Sequence, residues 1–197
     1  MLIVTFLGPD GSGKSTIISR VQELLSSRIK CKVTNYHFRV HIGKSKPTVF
    51  TPYSKRAHNP LISVVKIAYW FFIYSFWATA KRVLSIARLR EIAMFDRFLY
   101  DIVADPKRYR IHPMVLNLPL DKFVWPKPDI VFLLETDVEV LQRRKKEVSV
   151  EESRQQLLNY RKTFTASKNV VWLNGNKDID LLVAESTKVI QDLLVLE

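Results

Sequence analysis

Apolar residues along the chain fall into two kinds of pattern, short continuous runs and longer stretches spaced as on one helix face. Leu2-Ile-Val-Thr-Phe-Leu7 is a continuous run ended by glycine, the pattern of a strand buried on both faces of a parallel sheet. From Ser15 the spacing changes: Ile17, Ile18, Val21, Leu24 and Leu25 recur at helical intervals, so a helix begins at the glycine-rich turn. Cys31 to Phe38 reads as a second strand, and residues 39–60, with Pro47, Pro52, Pro60, Lys44, Lys46, Lys55 and Arg56, as a basic loop. Leu61 to Leu89 is a long helical candidate. Ile92-Ala-Met-Phe95 is a third strand, closed by Asp96, and Asp129 to Leu134 a fourth. A helix follows from about Val138 with Asp137 as its N-cap, then a helix over 150–164, a strand over 170–173 and an amphipathic helix over 179–196. Strands alternating with helices predict an α/β fold: a parallel five-stranded sheet with helices on both faces.

Length and composition bound this picture without changing it. The 197 residues suit one domain, 1–197, large enough to bury a core without disulfides, and 47% hydrophobic with 25% charged residues is ordinary for a globular chain. A single cysteine, Cys31, excludes an internal disulfide framework and a cysteine zinc cluster, and the four histidines lack metal-ligand spacing. The apolar start lacks a basic leader and a cleavage site, which predicts a cytoplasmic protein. Charge adds more. Thirty-one Lys and Arg against 19 Asp and Glu give a formal +12, which calls for an anionic partner.

Gly8-Pro-Asp-Gly-Ser-Gly-Lys-Ser15 matches the phosphate-loop pattern G-x-x-x-x-G-K-[ST] in full, with a buried strand before it and a helix after it. Gly8, Gly11 and Gly13 let successive amides turn inward as a concave nest for phosphate oxygens. Asp10, Ser12 and Thr16 complete the nucleotide-binding stretch. Lys14 is expected to reach the terminal phosphates of ATP, and Ser15 to ligate Mg²⁺. The fold this implies is a P-loop NTPase-type three-layer sandwich. Asp96 ends an apolar strand, where one carboxylate can serve the same Mg²⁺ directly or through water. Arg97 follows at once, and its guanidinium can grip an acceptor phosphate bidentately.

Together, Gly8 to Thr16, Asp96-Arg97-Phe98, and the basic run Arg143-Arg144-Lys145-Lys146 after Pro128 to Leu133 resemble the thymidylate kinase family of P-loop kinases. The resemblance implies transfer of the ATP γ-phosphate to an acceptor, usually a nucleoside monophosphate, with Mg²⁺. It implies that Lys14, Asp96, Arg97, Arg143 and Arg144 are the catalytic set, with Asp96 serving metal and acceptor and Asp10 approaching the phosphates. Arg143 and Arg144 begin a lid over about 142–152. Leu7 stands where members usually have Glu, and Phe38-Arg-Val-His41 where they often carry Arg-Glu-Pro-Gly. Asp105-Pro-Lys-Arg-Tyr-Arg110 replaces small polar residues after the Asp-Arg pair. All these departures except Leu7 lie on the acceptor side, so the chain resembles a divergent branch of the family.

Lys107, Arg108 and Arg110 form a further basic cluster, and Arg39, Arg97 and Arg108 are the candidate contacts to an anionic acceptor. Aromatic residues concentrate in one helix and do not interleave with the basic clusters, which argues against nucleic acid as a partner. That helix, Leu61 to Ala80, is long enough to cross a bilayer, but a span there would split the sheet, so a buried helix is the better reading. A surplus aromatic face would leave two outlets open: a homodimer interface, or peripheral contact of residues 61–90 with an anionic membrane. Two alternatives to a nucleoside monophosphate kinase stay in view. One is a same-fold kinase acting on a sugar or other surface-polysaccharide precursor. The other is a non-catalytic ATP-binding module.

Overall fold

The computed structural model describes residues 1–29, 31–37, 56–85, 91–117, 124–145, 148–165 and 167–196. Five parallel strands form one sheet in the order β2-β3-β1-β4-β5: β1 (Leu2–Leu7), β2 (Lys32–His37), β3 (Glu91–Asp96), β4 (Ile130–Glu135) and β5 (Val170–Asn174). The expected α/β architecture is therefore the observed one. β1, β3 and β4 are the inner strands and are apolar on both faces, as their continuous hydrophobic runs require. β2 and β5 are edges, and several of their residues meet solvent.

Side chains alternate across the sheet, so each strand feeds two cores. Ile3, Leu7, Ala93, Phe95, Val131 and Leu133 pack on one face against α2 (Pro60–Ser85) and α5 (Val150–Phe164). Leu2, Val4, Phe6, Ile92, Met94 and Phe132 pack on the other against α1 (Lys14–Arg28) and α6 (Ile179–Leu196). Each of the Val, Leu, Ile, Phe and Met side chains among them contributes about 1.5–3 kcal/mol when fully buried. α3 (Asp101–Ala104) and a 3-10 helix over Pro113–Asn117 follow β3, where the sequence pattern gave no element; α4 (Val138–Arg144) follows β4.

Three expectations are corrected in detail. Gln142, Arg143 and Arg144 are the last turn of α4 and not a free loop, because the helical spacing of Val138 and Leu141 carries on to Arg144. Asp137 holds the N-cap position of α4 but its side chain makes no capping bond, whereas Ser149 and Glu152 form a reciprocal capping box that starts α5. The lid range 142–152 thus joins two helix ends, with 146–147 outside the described residues. α2 is buried on one side only: Ile67, Trp70, Tyr74 and Ala78 face the core, while Leu61, Val65, Phe72 and Phe76 are exposed. Its 3.6-residue repeat turns half of an almost wholly apolar sequence away from the sheet. The basic loop 39–60 is described only from residue 56, so Arg39 lies outside the described residues.

β1 runs between β3 and β4, and its register with β3 sets Phe6 beside Asp96. The carboxyl ends of these strands therefore open at one edge of the sheet, where chains of this topology bind ligands.

Candidate active site

The turn between β1 and α1 has the shape the glycine pattern implies. Gly8, Gly11 and Gly13 take φ of 142°, 84° and 95°, in the left-handed region that side chains disfavour. A Cβ on Gly8 would come within 2.8 Å of the Leu134 carbonyl oxygen, while one on Gly13 would meet nothing within 4 Å. Gly13 is also the N-cap of α1. It supplies no capping side chain, and the first turn carries no acid. The leading amides of a fifteen-residue helix are thus left without a side-chain cap at the mouth of a glycine cradle, which is how proteins hold phosphate.

Lys14 lies folded inside that turn. Its Nζ donates to the carbonyl oxygens of Gly8 and Pro9, both at 2.7 Å, and to Ser12 Oγ at 3.3 Å. Burial, helped by the neighbouring Arg97 charge, lowers its pKa to about 8 despite Asp10, Asp96 and Asp101 nearby. Thr16, next along α1, is exposed.

Ser15 Oγ donates to Asp96 Oδ2 at 2.8 Å, which joins the first turn of α1 to the end of β3. His37 Nδ1, at the end of β2, lies 3.6 Å from the same oxygen, a neighbour that the histidine spacing had not suggested. Burial would raise the Asp96 carboxyl, but the neighbouring His37, the Lys14 charge and the hydrogen bond from Ser15 hold it down at about 2. The pair offers one carboxylate and one hydroxyl. Mg²⁺ takes one or two carboxylates and completes its octahedron with water and substrate phosphates, so these groups fit it. Among the described residues no cluster of three or more His, Cys, Asp or Glu forms a self-sufficient metal cage.

Arg97 adopts φ of 71°, a left-handed conformation unusual for a side chain of its size, with its amide donating to the Phe6 carbonyl oxygen at 3.2 Å. The turn aims its guanidinium along the sheet edge, where Nη2 pairs with Asp10 Oδ1. Arg108 Nη1 donates to the other oxygen, Asp10 Oδ2, at 2.6 Å. Two guanidinium groups from different segments thus converge on one carboxylate beside the glycine cradle. Asp10 faces this arginine pair. The side chains of Asp10 and Arg97 are 12% and 8% exposed, so the ion pair is held largely away from water.

Four residues after Arg97 lies a second carboxylate, one to which the sequence reading gave no role. Asp101 is fully buried, accepts from the Phe98 amide at 2.9 Å and receives the Tyr160 hydroxyl of α5. Burial raises its pKa, against the Arg97 charge and the Tyr160 bond. With Asp10, it outweighs burial and raises the Arg97 pKa. Tyr109 is buried close by, and its hydroxyl has no hydrogen-bond partner among the described residues.

The two arginines expected to begin a lid are both exposed, and Arg144 Nη1 donates to the Gly175 carbonyl oxygen at 3.2 Å. A Cβ on Gly11 would lie 3.3 Å from both the Leu141 carbonyl oxygen and Lys145 Cβ, so the end of α4 borders the phosphate loop.

The profile of the thymidylate kinase family matches residues 6–185, from the end of β1 into α6. The chain belongs to the thymidylate kinase family. No curated protein matches it. Membership places the chain among P-loop nucleotide kinases and accounts for the strand order and the phosphate loop together. The thymidylate kinase match also spans the Asp-Arg segment and helices α4 and α5.

Proposed function

We propose that the chain transfers the γ-phosphoryl group of ATP to a nucleoside monophosphate, with Mg²⁺. The observation that carries this reading is the convergence of Arg97 and Arg108 on Asp10, at the rim of the phosphate cradle. Paired guanidinium groups are what a dianionic acceptor phosphate needs, and the Asp10 carboxylate marks the spot where it would sit. Lys14 then leaves the Gly8 and Pro9 carbonyls for the nucleotide phosphates, and Ser15 with Asp96 holds the metal, which neutralises phosphate charge when bound. Arg97 orients the acceptor phosphate and Arg108 supports it; Arg143 closes from α4 as the arriving cation of the lid. The family match supports a nucleotide kinase at the coarser level.

ADP release from MgATP, measured with a panel of nucleoside monophosphates and sugar phosphates, tests the reading. Acceptor-dependent release with a monophosphate such as dTMP is expected. Release with sugar phosphates alone would move the reading to a glycan precursor, and ATP binding without acceptor-dependent release would reduce the chain to a binding module.

A further inference from the structure

The core accounts for one side of α2 and leaves the other without a partner. Ile67, Trp70, Tyr74 and Ala78 hold the helix to the sheet, and the Tyr74 hydroxyl donates to the Pro126 carbonyl oxygen at 2.7 Å. On the opposite side Leu61, Val65, Phe72, Phe76 and Val83 follow one another at intervals of four or seven residues. They therefore lie along one line of the helix, about 33 Å long at 1.5 Å per residue. Ile62, Tyr69 and Ile73 widen that line into a stripe, and Phe72 and Phe76 are each 69% exposed. No charged side chain occupies an exposed position among the described residues of α2. A continuous apolar surface of this kind marks a docking face.

Charge decides what docks there. Between Glu23 and Glu91 the chain holds thirteen Lys and Arg and no Asp or Glu. The rest of the chain has eighteen cations against nineteen acids, so the whole positive surplus belongs to the stretch that contains α2. Arg110 Nε donates to the Arg56 carbonyl oxygen at 3.0 Å, and the His58 amide donates to the Arg110 carbonyl oxygen at 2.9 Å. These bonds bring two arginines to the start of the helix, and neither guanidinium has an acid partner among the described residues. Lys81 and Arg82 stand in its last turns, paired with Glu91 and Asp129. Two copies meeting on this face would set one acid-free basic stretch against another, which opposes a dimer. An anionic bilayer answers both features, lipid phosphates for the cations and acyl chains for the stripe. By length and composition α2 could cross a bilayer, but its other side is part of the domain core, so it lies in the plane of the interface.

We propose that α2 docks the protein peripherally on an anionic membrane, with the Leu61–Val83 stripe entering the boundary between headgroups and acyl chains. Docking does not depend on the identity of the phosphoryl acceptor.

Co-sedimentation of the full chain with vesicles tests this, comparing phosphatidylcholine alone with phosphatidylcholine containing about one-third phosphatidylglycerol. The wild type should bind the mixed vesicles about 10-fold or more tightly than the neutral ones. That binding should fall about 10-fold or more in Phe72→Ser/Phe76→Ser, and also when salt rises from about 0.1 M to about 1 M, which shortens the Debye length from ~10 Å to ~3 Å. Both phenylalanines are exposed, so the urea midpoint of the variant should stay at the wild-type value, separating lost docking from lost fold. Leu61→Ser/Val65→Ser, on the same line, should lose binding in parallel and serves as the test if the first variant does not fold. Equal binding to neutral and mixed vesicles, or undiminished binding in a folded variant, would overturn the proposal. So would a wild type that ignores both vesicles, and analytical ultracentrifugation showing a dimer that Phe72→Ser/Phe76→Ser splits would then assign the face to a second copy.

Discussion

Lys14 offers a quantitative handle on the phosphate loop. With no ligand, its ammonium is buried among carbonyl groups beside Arg97, and its pKa stands at about 8 against an ordinary 10.5. That difference corresponds to about 3 kcal/mol disfavouring the charged form. At pH 8 roughly half the unliganded molecules therefore carry a neutral Lys14. The sign follows: a folded pKa below the unfolded one means that the unfolded chain binds more protons between pH 8 and 10.5, so stability rises with pH across that window. Terminal phosphates arriving beside the amine reverse the balance and favour the ammonium, so nucleotide binding at pH 8 should take up about half a proton per site. Titration calorimetry with ATP in buffers of different ionisation enthalpy reads that number directly. Uptake should fade towards pH 6.5, where the amine is already charged, and vanish in Lys14→Met. Uptake of zero at pH 8, or uptake that survives in Lys14→Met, would show that Lys14 does not face the phosphates.

Further outcomes follow from the same geometry. Asp96, held at about 2 against an ordinary 3.8, contributes about 2 kcal/mol that is present above pH 4 and lost as pH falls through 2; Asp96→Asn should flatten that part of the acid denaturation curve and weaken Mg²⁺ dependence of turnover about 10-fold or more. Arg108→Ala should raise KM for the acceptor about 10-fold or more with ATP affinity unchanged, as measured by initial rates, and an unaltered KM would remove Arg108 from the acceptor site. Gly8→Ala must push a Cβ into the Leu134 carbonyl as well as strain the backbone, whereas Gly13→Ala meets only strain. Urea denaturation should therefore show Gly8→Ala the more destabilised by about 1–3 kcal/mol, and equal losses would contradict the packing described around Gly8.

Much of this was readable from sequence where the physics is local. A strand buried on both faces must be apolar throughout, so Leu2–Leu7, Ile92–Phe95 and Ile130–Leu134 announced the three inner strands, and Asp96 stood out as the acid at the end of one. The glycine cradle and Lys14 were legible for the same reason, since their chemistry lies within eight consecutive residues. What escaped depends on contacts between distant segments. Asp101 and Tyr160 are 59 positions apart, and neither carries a local signal; a buried aspartate in a sequence looks like any surface one. Asp10 was expected to turn to the nucleotide, and only the folded chain shows two arginines, 87 and 98 residues away, closing on it. The long helix was legible as a helix, but its one-sided burial was not, because nearly every position of Leu61–Ala80 is apolar and the periodicity that marks a buried face is flattened. Arg143 and Arg144 were expected to begin a lid, and only the folded chain shows that they finish α4.

The central claim is that the amides between Gly8 and Ser15 enclose the terminal phosphates of a nucleotide. Backbone NMR of the ¹⁵N-labelled protein, titrated with a non-hydrolysable ATP analogue and Mg²⁺, tests it directly. The largest shifts should fall on the amides of Gly11, Gly13, Lys14 and Ser15, with smaller ones at Asp96 and at the end of α4. Saturating analogue that leaves those four amides unmoved, or moves only residues outside the sheet edge, would contradict the account.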